Sequence, residues 1–267
     1  MPDLKDVQSR HNRYIDSLVA SFERELSAIV NIAMARTQAR LTESLSLADG
    51  RIARSIGNAR TLRKLDAVLL EEMDRAGYQY LLSEFVAQFP GQLPYFRETL
   101  DILSASMKTP LPAVAFGPRD INAFTAQAEL AKDGIAAAVE GIAARAKSKA
   151  MLAIGGAPFS ELVGSLAEAV SSSLPQVVGL AETATATHYR VIADRGYRII
   201  EAETPGKLKY SFEGPLDKLT RPFCTRLLKT RRVFSRAQID AMDNGQLPNV
   251  FITGGGWRCR HQWILAG

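Results

Sequence analysis

From Asp3 to about Leu47, core-type side chains recur at steps of three and four: Leu4, Val7, His11, Tyr14, Leu18, Phe22, Leu26, Ile29 and Ala33. Lys5, Arg10, Arg13, Glu23, Arg24 and Glu25 fall mostly off that stripe. This period predicts one long amphipathic helix, or two stacked ones, buried within its own domain or against another subunit. No proline lies between Pro2 and Pro90 to force a break, and Asp49-Gly50 reads as a helix stop. A second helical stretch runs from about Arg51 to Phe89, with Leu62, Leu65, Val68, Leu69, Met73, Tyr78, Leu81, Leu82, Phe85 and Val86 inward and Gly77 as a divider. Pro90-Gly91 ends it, because proline lacks the backbone donor and restricts its predecessor.

A shorter helix follows over about Leu93 to Met107, and then KTPLPAVAFGPRD reads as an ordered extended connector or a domain boundary. Arg119 to Ile154 is an alanine-rich helix whose Arg145, Lys147 and Lys149 suit the negative end of the helix dipole. Gly155-Gly156 is a turn. It lacks the Lys-Ser/Thr of a phosphate-binding loop. Pro158 to Ser173 is helical with Phe159, Leu162, Val163 and Leu166 inward, and Leu174 to about Arg195 is helical with Gly196 as its cap.

The pattern then changes. YRIIEAE (197–203) and KLKYSFE (207–213) read as two strands joined at Thr204-Pro205-Gly206, a β-hairpin. Leu216 to Leu228 reads as a short helix capped by Asp217, with Arg221 paired to it one turn later. Ser235 with Gln238 forms a capping box for another, which stops at Asn244-Gly245. The expected architecture is therefore mainly α: long amphipathic helices, then a small α+β carboxy-terminal domain with a β-hairpin. Its divisions are 1–107 (helical), 108–118 (linker), 119–179 (helical) and 180–267 (α+β).

Composition changes this picture little. Apolar residues make up 46% and aromatics 7%, a core of mostly aliphatic side chains that suits helix packing. A net charge of +5 permits contact with a polyanion without requiring it. No apolar run reaches the ~18 residues of a membrane span, and MPDLKDVQSRHNRY has no apolar core of a secretory signal. Two cysteines suit free thiols in a reducing compartment better than a disulfide framework.

Chemistry-bearing residues concentrate in the tail, and no catalytic site follows from them alone. Cys224, Cys259 and His261 are three candidate zinc ligands, with His188 needed as a fourth. Close ligand pairs are missing, so buried packing thiols are the preferred reading and no metal or other cofactor is assigned. A Cys224–Cys259 disulfide would need an oxidising medium. Cys224 with His188 or His261 could form a nucleophile pair, but no spacing brings them together. Gly254-Gly255-Gly256 gives positive φ or a close backbone approach. Arg258 and Arg260 interleave with Trp257 and Trp263 as on nucleic-acid surfaces, and Arg226, Lys229, Arg231 and Arg232 form a second basic cluster.

One ordered series resembles a known family. It comprises Leu180-Ala181-Glu182-Thr183 on a helix, Asp217-Lys-Leu-Thr-Arg221-Pro-Phe-Cys224 as D-x-x-x-R-x-x-C, Val233-Phe234, and a glycine-rich end with Gly255, Gly256 and Cys259-Arg260-His261. It is similar to the carboxy-terminal domain of the phage Mu F-like minor head proteins, or head morphogenesis proteins, over about the last third of the chain. His261 stands where that family has its last Cys. The resemblance implies a non-enzymatic structural protein of a tailed-phage virion, acting in head assembly or in DNA packaging or ejection. It further implies partners in the portal or major capsid protein, a homo-oligomer, no membrane, and non-specific contact with packaged DNA through Arg226, Lys229, Arg231, Arg232, Arg258 and Arg260. The rival classes are a head-to-tail adaptor, or a virion-carried enzyme or toxin-like effector using Glu182, His188, Asp217, Arg221, Cys224 and His261.

Overall fold

A computed structural model describes residues 3–107, 109–206 and 208–266. Lys108, which opens the expected linker, and Lys207, which opens the second expected strand, lie outside the described residues. The chain is mainly α with two small antiparallel sheets. Its helices are α1 (Leu4–Ser44), α2 (Ile56–Arg63), α3 (Leu65–Arg75), α4 (Tyr78–Ala87), α5 (Leu93–Ser106), α6 (Pro118–Leu152), α7 (Phe159–Ser171), α8 (Leu174–Glu203), α9 (Pro222–Thr230), α10 (Arg236–Asp240) and α11 (Val250–Thr253). The strands are β1 (Leu47–Ala48), β2 (Arg51–Ile52), β3 (Tyr210–Glu213) and β4 (Gln262–Leu265). No described helix is long and apolar enough to cross a membrane.

Two compact units emerge, each built from separate stretches of chain. One takes residues 19–86 and 132–178. Here the aliphatic stripes do what their period dictates: Phe22 and Leu26 of α1 are buried with Leu62, Leu69, Leu82 and Phe85, and the Phe22 and Phe85 rings lie 4.5 Å apart. Asp49-Gly50 ends no helix directly. Both residues have positive φ, 51° and 71°, and turn the β1–β2 hairpin, the geometry that Asp-Gly favours in two-residue turns. Asn58 holds this hairpin by accepting from Ser46 N and donating to the carbonyls of Ser46 and Ala53. The second predicted helical stretch is three helices, divided at Lys64 and, as expected, at Gly77, whose φ is +100°. Arg145 and Lys147 are occupied by Ser173 and Asp66, so specific partners rather than the helix dipole hold them.

The other unit takes the described residues within 1–18, 87–131 and 179–267. Its core gathers Phe96, Tyr189, Tyr197, Ile200, Tyr210, Phe251 and Trp263, with Leu111, Val114 and Phe116 of the extended connector packed against it. Residues 197–203 are helical, not a strand: α8 runs unbroken to Glu203. Tyr189, Ala193, Tyr197 and Ile200 form one buried helical face, and burying that face outweighs the local β preference of Ile199-Ile200. Gly196 is no cap. A Cβ there would collide with the Phe96 ring, so glycine lets the ring rest on the helix backbone.

Strand β3 keeps the predicted alternation, Tyr210 and Phe212 buried, but its partner is β4 in the register Tyr210↔Leu265, Phe212↔Trp263. The sheet is therefore closed by the end of the described chain rather than by a local hairpin. Phe234 adds to the other edge of Tyr210, which donates its N–H to the Phe234 carbonyl at 2.8 Å and accepts in return at 2.9 Å. Pro222 sets the start of α9, later than expected, because its fixed φ and missing N–H suit the first turn of a helix. The Ser235–Gln238 capping box is present, but α10 stops at Asp240 rather than Asn244-Gly245.

Candidate functional site: a buried Cys-Cys-His knot

Three segments meet under β3 and β4. Helix α9 supplies Cys224, the turn after α11 supplies Gly254, Gly255 and Cys259, and the lead-in to β4 supplies His261. The sulfurs of Cys224 and Cys259 lie 3.9 Å apart, and His261 Nδ1 is 3.5 Å from Cys259 Sγ. All three side chains are buried. His261 Nε2 donates to the Pro215 carbonyl at 2.7 Å, its ring stacks on Phe212, and this fixes which nitrogen faces the sulfurs. Gly255 N–H donates to Cys259 Sγ at 3.0 Å.

The backbone is built for this approach. Gly254 and Gly256 have φ of +58° and +95°. Gly255 needs no positive φ; a Cβ on it would run into Cys224 Sγ and come within 3.4 Å of Cys259 Sγ. Beneath lies Arg190 of α8, fully buried, donating to the carbonyls of His261 (2.9 Å), Ile252 (3.4 Å) and Cys259. A buried guanidinium whose hydrogen-bond partners, among the described residues, are carbonyl dipoles favours an anion nearby. The hydrogen bond from Cys224 draws the Cys259 thiol well below its ordinary range, helped by His261, Arg190 and the Gly255 N–H. The same hydrogen bond, with burial, pushes the Cys224 thiol up.

The other motif residues surround this knot. Glu182 of α8 forms an ion pair with Arg258, whose backbone N–H donates to Thr183 Oγ1 at 2.9 Å. Asp217 starts no helix. It accepts from Leu219 N in a tight turn and takes Arg260 Nη2 on both oxygens, at 2.7 and 2.8 Å. Arg260 holds the Asp217 carboxyl down at about 2. Arg221 does not pair with Asp217; its Nη1 donates to the Gly255 carbonyl at 3.0 Å. Gln246 Oε1 accepts from Trp257 N at 3.1 Å and fills the space that a Cβ on Gly256 would need.

Some expected partners are elsewhere. His188 is hydrogen-bonded to Gln127 Oε1 at 2.6 Å and lies among the rings of Phe89 and Phe124, so it is neither a fourth ligand nor a base for Cys224. Trp263 is buried against Phe212 and Phe234 rather than on a nucleic-acid surface. Arg226, Lys229, Arg231 and Arg232 are exposed on and beyond the end of α9, while Arg258 and Arg260 are engaged in the ion pairs above. Sequence reasoning missed Arg190, and only its place within the buried face of α8 could have raised it.

No family model, curated protein or solved structure matches this chain.

Proposed function

We propose that this chain is a structural, non-enzymatic minor head protein of a tailed-phage particle, bound to the portal or major capsid protein in several copies. One observation carries the reading. The residues on which the resemblance to Mu F-like proteins rests fasten one another and the chain between them: Asp217 holds Arg260, Arg221 holds Gly255, Cys224 meets Cys259 and His261, and Glu182 and Thr183 hold Arg258, next to Cys259. A series scattered over some eighty residues of sequence spends its chemistry on fastening the carboxy-terminal lobe, which supports an architectural role. The burial of the thiols and imidazole supports it too, since a nucleophile needs access to its substrate.

The test is to purify phage particles from cells that carry the gene and to quantify the chain against the portal protein. A fixed ratio to the portal, in both DNA-filled and emptied heads, is expected. Exclusion of the chain from particles would overturn the proposal, as would a substrate turnover abolished by Cys224→Ala.

A further inference from the structure

We infer that Cys224, Cys259 and His261 form a preorganised site for a single thiophilic closed-shell cation, zinc or monovalent copper. This rests on geometry independent of the phage reading. Among the described residues these three are the one cluster whose ligand atoms all lie close enough to share an ion, within 4.8 Å of one another. Zinc binds thiolate at ~2.3 Å and imidazole at ~2.0 Å; tetrahedral angles then require about 3.8 Å between two sulfurs and about 3.5 Å between sulfur and nitrogen. Cys259 meets both values, with its sulfur 3.9 Å from that of Cys224 and 3.5 Å from His261 Nδ1; Cys224 Sγ and the imidazole nitrogen lie within 4.8 Å, a gap that a shared ion would close.

The surroundings are those of a ligand set rather than of packed thiols. His261 donates Nε2–H to the Pro215 carbonyl, the outer-shell contact that turns the other nitrogen's lone pair toward a metal. The Gly255 N–H points at the Cys259 sulfur, a contact that stabilises thiolate. Glycine at 255 keeps the space against both sulfurs free of a side chain. Two thiolates meet the demand of buried Arg190 for negative charge. The charges also separate the two cations. Two thiolates, a neutral imidazole, Arg190 and a monovalent cation sum to zero, whereas zinc leaves one positive charge and so calls for an anionic fourth ligand such as hydroxide or chloride. Metal binding replaces two thiol protons, which leave to solvent; no electron transfer is involved.

The test uses the full chain, reduced, stripped with a chelator and then titrated in separate arms with cobalt(II), zinc(II) and copper(I), the last against a competing copper(I) chelator. One equivalent of cobalt(II) with the intense ligand-field absorption of a tetrahedral thiolate site is expected, displaced by zinc or copper(I). Retention of zinc against copper(I) assigns the site to zinc, and the reverse assigns it to copper. Cys224→Ser, Cys259→Ser and His261→Gln should each weaken binding by more than ~100-fold, since even outer-shell changes cost 10–100-fold. Gly255→Ala should do so without removing a ligand. Where a variant fails to fold by circular dichroism, the wild-type titration decides. No saturable binding of any of the three ions by the folded, reduced chain overturns the inference, as does binding that folded ligand variants leave unchanged.

Discussion

At the scale of single residues, space and solvation override propensity. Gly196 sits inside a long helix, where alanine is ordinarily the more stable residue by up to ~1 kcal/mol. Here the Cβ would strike Phe96, and overpacking of this kind costs about 1–3 kcal/mol. Gly196→Ala is therefore expected to lower the midpoint of thermal unfolding; a rise would show that the ring does not rest on the helix. The buried histidines give a second expectation. Burial lowers both His11 and His188 to about 4, while the same side chains in the unfolded chain titrate near ~6.5. Between those values the unfolded state binds more protons, so stability is complete above the unfolded value, falls as pH drops through this window and levels off below it. Each histidine contributes up to roughly 3 kcal/mol. Denaturant titrations at neutral and mildly acidic pH should record the loss, and the double variant His11→Gln, His188→Gln should flatten it.

At the scale of elements, helix existence and inward faces were legible, while ends and partners were less so. The α1 stripe, the α3–α4 stripe with its Gly77 break, and the α7 face are where periodicity put them, because burial of an apolar stripe is a local instruction. The Ser235–Gln238 box was legible for the same reason: it is closed within four residues. Ser235→Ala should cost about 1 kcal/mol, read as a shifted denaturant midpoint with unchanged slope. Residues 197–203 were misleading because a short Ile-rich run does not distinguish a strand from a buried helical turn. What decides is Tyr197 and Ile200 continuing the face begun at Tyr189. The partner of β3 was likewise illegible, since the pairing Phe212↔Trp263 spans a distance in sequence over which alternation says nothing.

At the scale of the whole molecule, charge is the property that an outside partner would read first. Arg226, Lys229, Arg231 and Arg232 are exposed together, two of them with guanidinium groups over Phe223 and Phe234. If this face touches packaged DNA, as the resemblance implies, affinity for duplex DNA should be independent of sequence. Its logarithm should fall with the logarithm of salt concentration at a slope no steeper than about −4 for four phosphate contacts. Replacing all four by Glu should abolish binding while leaving the circular dichroism spectrum unchanged. Replacing Arg258 and Arg260 should instead destabilise the lobe, because Glu182 and Asp217 already hold them.

By itself the sequence determined that this chain is mainly helical, which faces of the helices turn inward, and that its chemistry lies in the last third. Each of these is written in spacings of three and four or in residue types. Only the tertiary structure decided that Cys224, Cys259 and His261 share one buried point while His188 does not, that Arg190 lies beneath them, and that β3 pairs with β4. Those relations join residues far apart along the chain, and the free energy that fixes them comes from burying apolar surface of the unit as a whole rather than from any local pattern.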